Sequence, residues 1–476
     1  MLFNSLSFAA FLVIVFAGYW VLGNQRRAQN ILLLVASYVF YGWWDWCYLF
    51  LIAGCSAINF AAGWIIYESN SKLIRRLSLI VSCLVCVGAL CYFKYFNFFV
   101  DSFASMLSVF GISWNPLVLN VMLPVGISFF TFQALSYTID IMLGKLKPTN
   151  DWVEFFVFIS FFPQLVAGPI ERATNLLPQF QKARRFDFDA ATHGLALMAY
   201  GLFKKMVVAD TLALYVDRVF AVPEMFSATT CILGAFFFSI QIYCDFSGYS
   251  DCARGVARLF GFELMLNFNR PYLATSFIEF WRRWHISLST WFKDYLYIPL
   301  GGNRRGFAIL IRNVWIVFLV SGLWHGAAWT FIIWGALHAL YQTLDLIKIA
   351  FKNRVWGVIW NRTLITRVSS ILLVNIGVIF AWIFFRAGSF AALSNYLRVM
   401  FSGKFNTTLM GLCAGQGPMV LIFCILSVLL LGASYLCPRD CQFRSLKAKF
   451  IFTVVIIAAI VFMGMPTGGE FIYFQF

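Results

Sequence analysis

Four histidines, His193, His285, His325 and His338, are the scarcest groups in this 476-residue chain that can move a proton near neutral pH. His325 stands inside the apolar run Val314 to Trp334, about 16 Å along if that run is one helix rising 1.5 Å per residue. That depth is close to the middle of a bilayer, where an ionisable side chain faces a cavity or a partner and function is the default reading. A packed, hydrogen-bonded histidine is the competing one. Scarce water favours the neutral imidazole, the form in which a general base takes a proton from an attacking hydroxyl. Gly322 and Gly326, with Ala327 and Ala328, would let a neighbouring backbone or an extended substrate approach closely, although ordinary small-residue helix packing explains them equally well.

His338 follows on the same run, and on one straight helix it falls about 140° around and roughly 20 Å along from His325. The two cannot then touch, so His338 reads as structural, and its removal is expected to leave most activity. His193, just ahead of an apolar run, reads the same way. The second constellation is Glu279 to Tyr295. As one amphipathic helix it places Trp281, Trp284, Leu288, Trp291 and Tyr295 on one stripe and Arg282, His285, Ser289 and Lys293 on another. It is either an interfacial anchor or the wall of a wet funnel leading to His325. Asp245 has no evident partner in the sequence, whereas Asp251 and Arg254 are spaced to pair on a helix face. The turn Gly301 to Gly306, with Arg304 and Arg305, is equally a weak phosphate cradle and a positive cytoplasmic loop.

These residues need elements to hold them, and composition says which. The chain is 61% hydrophobic and 12% charged, against roughly 45–50% apolar residues in soluble domains. Crossing a bilayer core takes about 20 apolar residues in a helix, the default unit because hydrocarbon cannot satisfy a bare backbone. Apolar runs lie near 5–23, 30–44, 46–67, 77–93, 117–139, 152–167, 194–210, 228–244, 311–341, 368–386, 419–436 and 450–465. The expectation is an all-α polytopic integral membrane protein with about eleven transmembrane helices, the rest re-entrant or interfacial. The polar stretches, Glu171 to Asp189, Asp345 to Arg367, Arg398 to Gly417 and Pro438 to Lys449, are too short for a soluble domain. Residues 1–476 therefore read as one membrane-embedded domain with its core motifs in 117–341. The first run lacks a positive n-region and a cleavage site, which makes it a span and not a signal peptide. Thirty-six Lys and Arg stand against 20 acidic residues, and their excess in short connections points to cytoplasmic loops before nucleic acid. Most of the twelve cysteines lie in apolar runs and read as small hydrophobes. Cys83-x-x-Cys86 lacks the companion ligands of a metal site, and Cys437 and Cys441 flank a loop without an evident role.

Five ordered motifs carry a resemblance: Leu123 to Gln133, Phe162 to Ile170, Tyr243 to Asp251, Trp281 to Trp291 with Tyr297 to Gly302, and Ser321 to Trp329. Together with Met1 to Ser5 and Tyr38 to Asp45, they resemble the membrane-bound O-acyltransferase family in its alginate O-acetyltransferase branch. The resemblance implies the fold of that family, a ring of tilted helices around a thinned centre where funnels from both faces converge. It implies His325 as the catalytic residue and His285 as the second family histidine. Trp324, Arg282, Ser289 and Asp245 are the expected substrate contacts, with no metal and no bound cofactor. The implied donor is a cytosolic thioester, acetyl-CoA or an acyl carrier, and the implied acceptor an exported polysaccharide or other cell-envelope glycan. Implied partners are the lipid bilayer and a periplasmic or extracellular acetyltransferase or glycan synthase, in a bacterial inner (plasma) membrane. Transfer of D-alanyl or long-chain acyl groups stays open, as does a non-catalytic transporter or scaffold subunit of a glycan export complex. The absence of a fixed-period repeat weakens the transporter reading.

If positive charge sets orientation, residues 24–29 and 70–76 are cytoplasmic. Cysteines placed at Gln25 and Ser71 should resist a membrane-impermeant label added outside intact cells and react after permeabilisation.

Overall fold

Most of the apolar runs fold here as helices, several opened by a side-chain cap such as Ser5, Ser71, Asp151 or Thr363. The computed structural model describes all residues except 116, 117, 120, 167, 356–362, 416, 442, 444, 466–470 and 473–476, and contains no strand among the described residues. The helices are α1 (Leu6–Val21), α2 (Arg26–Gly42), α3 (Tyr48–Glu68), α4 (Lys72–Leu90), α5 (Phe96–Val109), α6 (Ile127–Met142), α7 (Trp152–Ser160), α8 (Ala173–Gln181), α9 (Phe188–Phe203) and α10 (Asp210–Ala221). They continue as α11 (Ala228–Leu259), α12 (Phe277–Arg283), α13 (Ile286–Phe292), α14 (Phe307–His325), α15 (Trp329–Val355), α16 (Leu364–Arg386), α17 (Phe390–Met400), α18 (Leu409–Leu412), α19 (Pro418–Ser434) and α20 (Leu446–Met463).

Among the described residues, six helical segments are long and apolar enough to cross a membrane: α3, the continuous stretch Lys72–Val109, α11, α14, α16 and α20; α1 and α19 are shorter apolar helices. Other apolar runs fold more tightly than a span. The run 152–167 ends as a helix at Ser160, where Phe161 leaves the helical region (ψ 107°), and Pro163 could not continue it because it has no N–H to donate back to Ile159. The run 117–139 begins outside the described residues and becomes helical only after Gly126, whose φ of 75° no side chain adopts readily. The polar stretch 345–367 lies partly outside the described residues.

Cα packing divides the chain into two compact units, one of Met1–Leu202, Tyr249–Met265 and Cys441–Thr453, the other of Phe203–Gly248, Leu266–Asp440 and Val454–Phe476. In the first, α3, α4 and α6 share a buried polar knot: the Ser82 hydroxyl donates to Asn59 Oδ1 at 2.7 Å, and Asn59 Nδ2 donates to Cys86 Sγ at 3.2 Å. Arg184 reaches Asn30 Oδ1 at 2.7 Å, tying the loop after α8 to α2. Asp251 and Arg254 pair at 3.5 Å, as their spacing suggests. The unexplained Cys441 is buried there against Ala196 and Leu197.

The second unit holds the largest departure from the sequence reading. The run 311–341 is a helical hairpin and not one straight helix. Helix α14 stops at His325, Gly326 turns extended (φ −162°, ψ 151°), and α15 begins at Trp329 and returns along α14. Glycines make that return possible. A Cβ on Gly322 would sit 2.4 Å from the Phe331 carbonyl oxygen, and one on Gly335 would sit 2.3 Å from that of Phe318. The two backbones touch, the arrangement small residues permit between membrane helices. Trp315 Nε1 closes the far end by donating to Thr343 Oγ1 at 3.2 Å.

Gly335→Ala should therefore force the hairpin apart, at a cost of about 1–3 kcal/mol for overpacking. Gly88→Ala, where a Cβ meets nothing within 4 Å, is the matched control. Thermal melting of the detergent-purified variants, followed by size exclusion, should show a lowered midpoint for the first only.

Candidate active site

Because α14 ends at His325, the imidazole sits at the head of a hairpin and not midway along a helix. It is 2% exposed and meets the rings of Trp324, Trp334 and Phe385 at centroid distances of 5.0, 4.9 and 5.5 Å. Trp334 belongs to the returning helix, and Trp382 stacks against it at 5.7 Å with an interplanar angle of 22°. An aromatic chamber thus encloses His325.

His285 reaches the same chamber by a backbone device. The stretch Glu279 to Tyr295 is broken at His285, whose φ of 42° is left-handed, and α12 and α13 flank the break. That conformation costs a non-glycine residue on the order of 1–3 kcal/mol, and hydrogen bonds to Asn267 offset it. The Ile286 N–H donates to the Asn267 carbonyl at 2.9 Å, the Ser287 N–H and hydroxyl donate to Asn267 Oδ1 at 3.2 and 2.9 Å, and the Asn269 N–H donates to the Arg283 carbonyl at 2.8 Å. The break turns His285 away from the cation stripe on which a single helix would place it, into the fully buried side. Its ring centroid lies 6.2 Å from that of His325 and 5.9 Å from that of Trp324.

Arg282 and Ser289 face elsewhere. With Lys293, Asn303 and Gln342 they line a cavity of about 520 Å³ between α12, α13, α14 and α15 that extends to Ser321. Ser321 is one helical turn before His325, about 6 Å along the axis. His285 and His325 do not line this cavity; Trp281 does, and its ring meets Trp334 at 5.7 Å. Glu279 also stands in the wall. Burial pushes its carboxyl up, but the Thr275 N–H and hydroxyl and the Arg283 guanidinium outweigh that and hold it below the usual glutamate value. The loop after α13 is fastened by Asn313 Nδ2, which donates to the Gly302 carbonyl at 2.9 Å.

Asp245 is the expected substrate contact placed most differently. It is 1% exposed and forms an ion pair with Lys205, 2.8 Å away. Six expected residues thus fall into three places: His325, His285 and Trp324 in the chamber, Arg282 and Ser289 in the cavity wall, and Asp245 in a buried ion cluster.

His338 also moves. On the returning helix its ring meets Trp334 at 5.0 Å, so Trp334 contacts both His325 and His338. Trp281 Nε1 donates to His338 Nδ1 at 3.2 Å; an indole can only donate, which fixes Nδ1 as the lone-pair nitrogen. The straight-helix separation of the two histidines was an artefact of the unbroken apolar run. His193, in the other unit, lies beside the Arg258 guanidinium at 3.2–3.3 Å.

Residues 145–385 match the model of the MBOAT family, described as the membrane-bound O-acyltransferase family. Over 409 residues the chain is 40% identical to the probable alginate O-acetylase AlgI of Pseudomonas aeruginosa, covering 84% of this chain and 75% of that one. The chain belongs to the membrane-bound O-acyltransferase family. It is also 36% identical over 443 residues to the peptidoglycan O-acetyltransferase of Helicobacter pylori, covering 84% of this chain and 80% of that one. A teichoic acid D-alanyltransferase of Bacillus subtilis is 28% identical over 233 residues, covering 47% and 59%. As a member of the family, this bacterial multi-pass membrane protein is an O-acyltransferase, and the chamber and cavity lie within or beside its matched residues.

Loss of the Trp281–His338 bond should loosen Trp334 against His325. Bonds between helices in membranes average about 0.6 kcal/mol and reach about 1.7, so His338→Ala should lower the transfer rate about three- to eighteen-fold. His338→Asn, with an amide oxygen to accept the indole N–H, should recover most of it. Rates measured in membranes normalised for protein level check both.

Proposed function

We propose that this acyltransferase moves an acetyl group from a cytosolic thioester, acetyl-CoA or an acylated carrier, toward hydroxyls of an exported polysaccharide or other envelope glycan, from the inner membrane, with His325 as general base. The observation that carries the reading is the buried pair of imidazoles, His285 and His325, 6.2 Å apart in an aromatic chamber. An imidazole there can take a proton at the moment of attack. Arg282 and Lys293 in the neighbouring cavity wall suit a phosphate-bearing donor. The acceptor class is drawn from the relatives at 36–40% identity, named for alginate and peptidoglycan acetylation. The D-alanyltransferase likeness spans less than half of this chain and supports its acyl group less well.

In the proposed step, the acceptor oxygen bonds to the acyl carbon as its proton passes to a ring nitrogen of His325. The carbon–sulfur bond breaks, and the leaving thiolate takes up the proton that His325 holds. His285 orients the thioester while Arg282 and Ser289 hold the donor in the cavity. The acceptor oxygen is a hydroxyl of the polymer itself or of a periplasmic acetyltransferase that carries the acetyl ester on to the polymer.

Replacing His325 by Ala in a deletion strain should cut the acetyl content of the exported glycan by about 10²–10⁴-fold, the usual contribution of a general base, with membrane levels on a blot unchanged. Full acetylation in this variant would end the mechanism. A transporter or scaffold role predicts a different result, less exported polymer with the same acetyl content per sugar.

A further inference from the structure

The second unit buries four charges that the transfer step does not use. Lys205 Nζ lies 2.8 Å from Asp210 Oδ1 and 2.8 Å from Asp245 Oδ1, with side chains 5%, 4% and 1% exposed. Beside it, Lys204 Nζ donates to Ser247 Oγ at 3.0 Å. Two lysines and two aspartates balance. A buried ion cluster is nevertheless weak evidence for stability, because desolvation offsets most of the attraction, and a well-attested use of such groups is to fix one arrangement.

The second oxygen of Asp245 indicates which arrangement. Asp245 Oδ2 accepts the Ile472 backbone N–H at 2.7 Å, and the preceding ring, Phe471, meets Phe246 at 5.6 Å. Phe246 follows Asp245 in the chain and meets the His285 ring edge-on, at 4.6 Å and 81°. It is closer to His285 than Trp324 at 5.9 Å or Phe268 at 6.4 Å. A continuous set of contacts therefore runs from the Lys205 cluster through Asp245 and Phe471–Ile472 to Phe246 and the imidazole.

We infer that Phe471–Ile472 is a positioning element of the active site: anchored on Asp245, it backs Phe246 against His285 and fixes the angle at which that imidazole meets the acyl donor. Asp245 and Lys205 are positioning residues that act through it and do not touch substrate. The inference rests on His285 taking part in transfer, as proposed above. If the ring is held from behind, removing the support should impair turnover more than donor binding, because the donor's main contacts lie in the cavity wall.

The test is a double-mutant cycle of Phe471→Ala and His285→Ala in the full-length protein, read as kcat and donor KM for acetyl transfer in membranes. Coupled residues depart from additivity. Phe471→Ala alone should lower kcat about five-fold and change donor KM less than about two-fold, and in the His285→Ala background the loss should shrink to under about two-fold. Phe471→Leu, which refills the space, should recover most of the rate. If Phe471→Ala does not accumulate, Phe246→Leu enters the same cycle with the same expectation. Equal losses in both backgrounds, or no loss in either, would overturn the positioning role while leaving His285 in the mechanism. Full activity in His285→Ala would instead remove the reading on which it rests.

Discussion

The contact between the backbones of α14 and α15 is the constraint on which the candidate site depends. At Gly322 and Gly335 the two helices approach so closely that even a methyl group would strike a carbonyl oxygen. That approach folds a long apolar run into a hairpin, leaves His325 at its head, and brings Trp334 back against it. Helices in lipid gain little from hydrophobic association, so close van der Waals contact and a few interhelical hydrogen bonds set their geometry. A side chain at either glycine would shift the aromatic wall relative to the imidazole before it touched any reacting group.

The polar and apolar parts of the site divide the work. Arg282, Lys293, Glu279, two amides and three serines punctuate the otherwise apolar wall of the cavity up to Ser321. One turn further, aromatic rings replace them. In the proposed transfer, a charge developing in so dry a place is stabilised only by what is already fixed in position, so the angle of each imidazole matters as much as its presence. His285 is fixed by main chain, through a left-handed φ that Asn267 supports.

How much of this the sequence discloses depends on the separation of the interacting residues. His325 is legible because a lone ionisable group in an apolar run is conspicuous, and the helical architecture follows from the same runs. The hairpin is not legible: Gly326-Ala327-Ala328 continues the apolar pattern without a proline or polar break. On a helical wheel His285 falls with Arg282 and Ser289, and Asn267, outside that segment, turns it the other way. Asp245 looked unpartnered because Lys205 lies 40 positions upstream on another helix, a distance that local patterning cannot bridge. Trp334 carries no signal of its own and His338 only that of its scarcity, since their place beside His325 comes from the helix that returns them to it.

The aromatic wall has an optical consequence. Trp334 and Trp382 stack at 5.7 Å and 22°, and Trp284 lies 4.9 Å from Trp382. Indoles this close share their excited states, and an imidazole 4.9 Å from Trp334 sits where a change in its charge alters indole emission. If transfer takes place there as proposed, these rings form an intrinsic chromophore through which donor arrival and proton transfer would register as changes in near-ultraviolet dichroism without any attached dye.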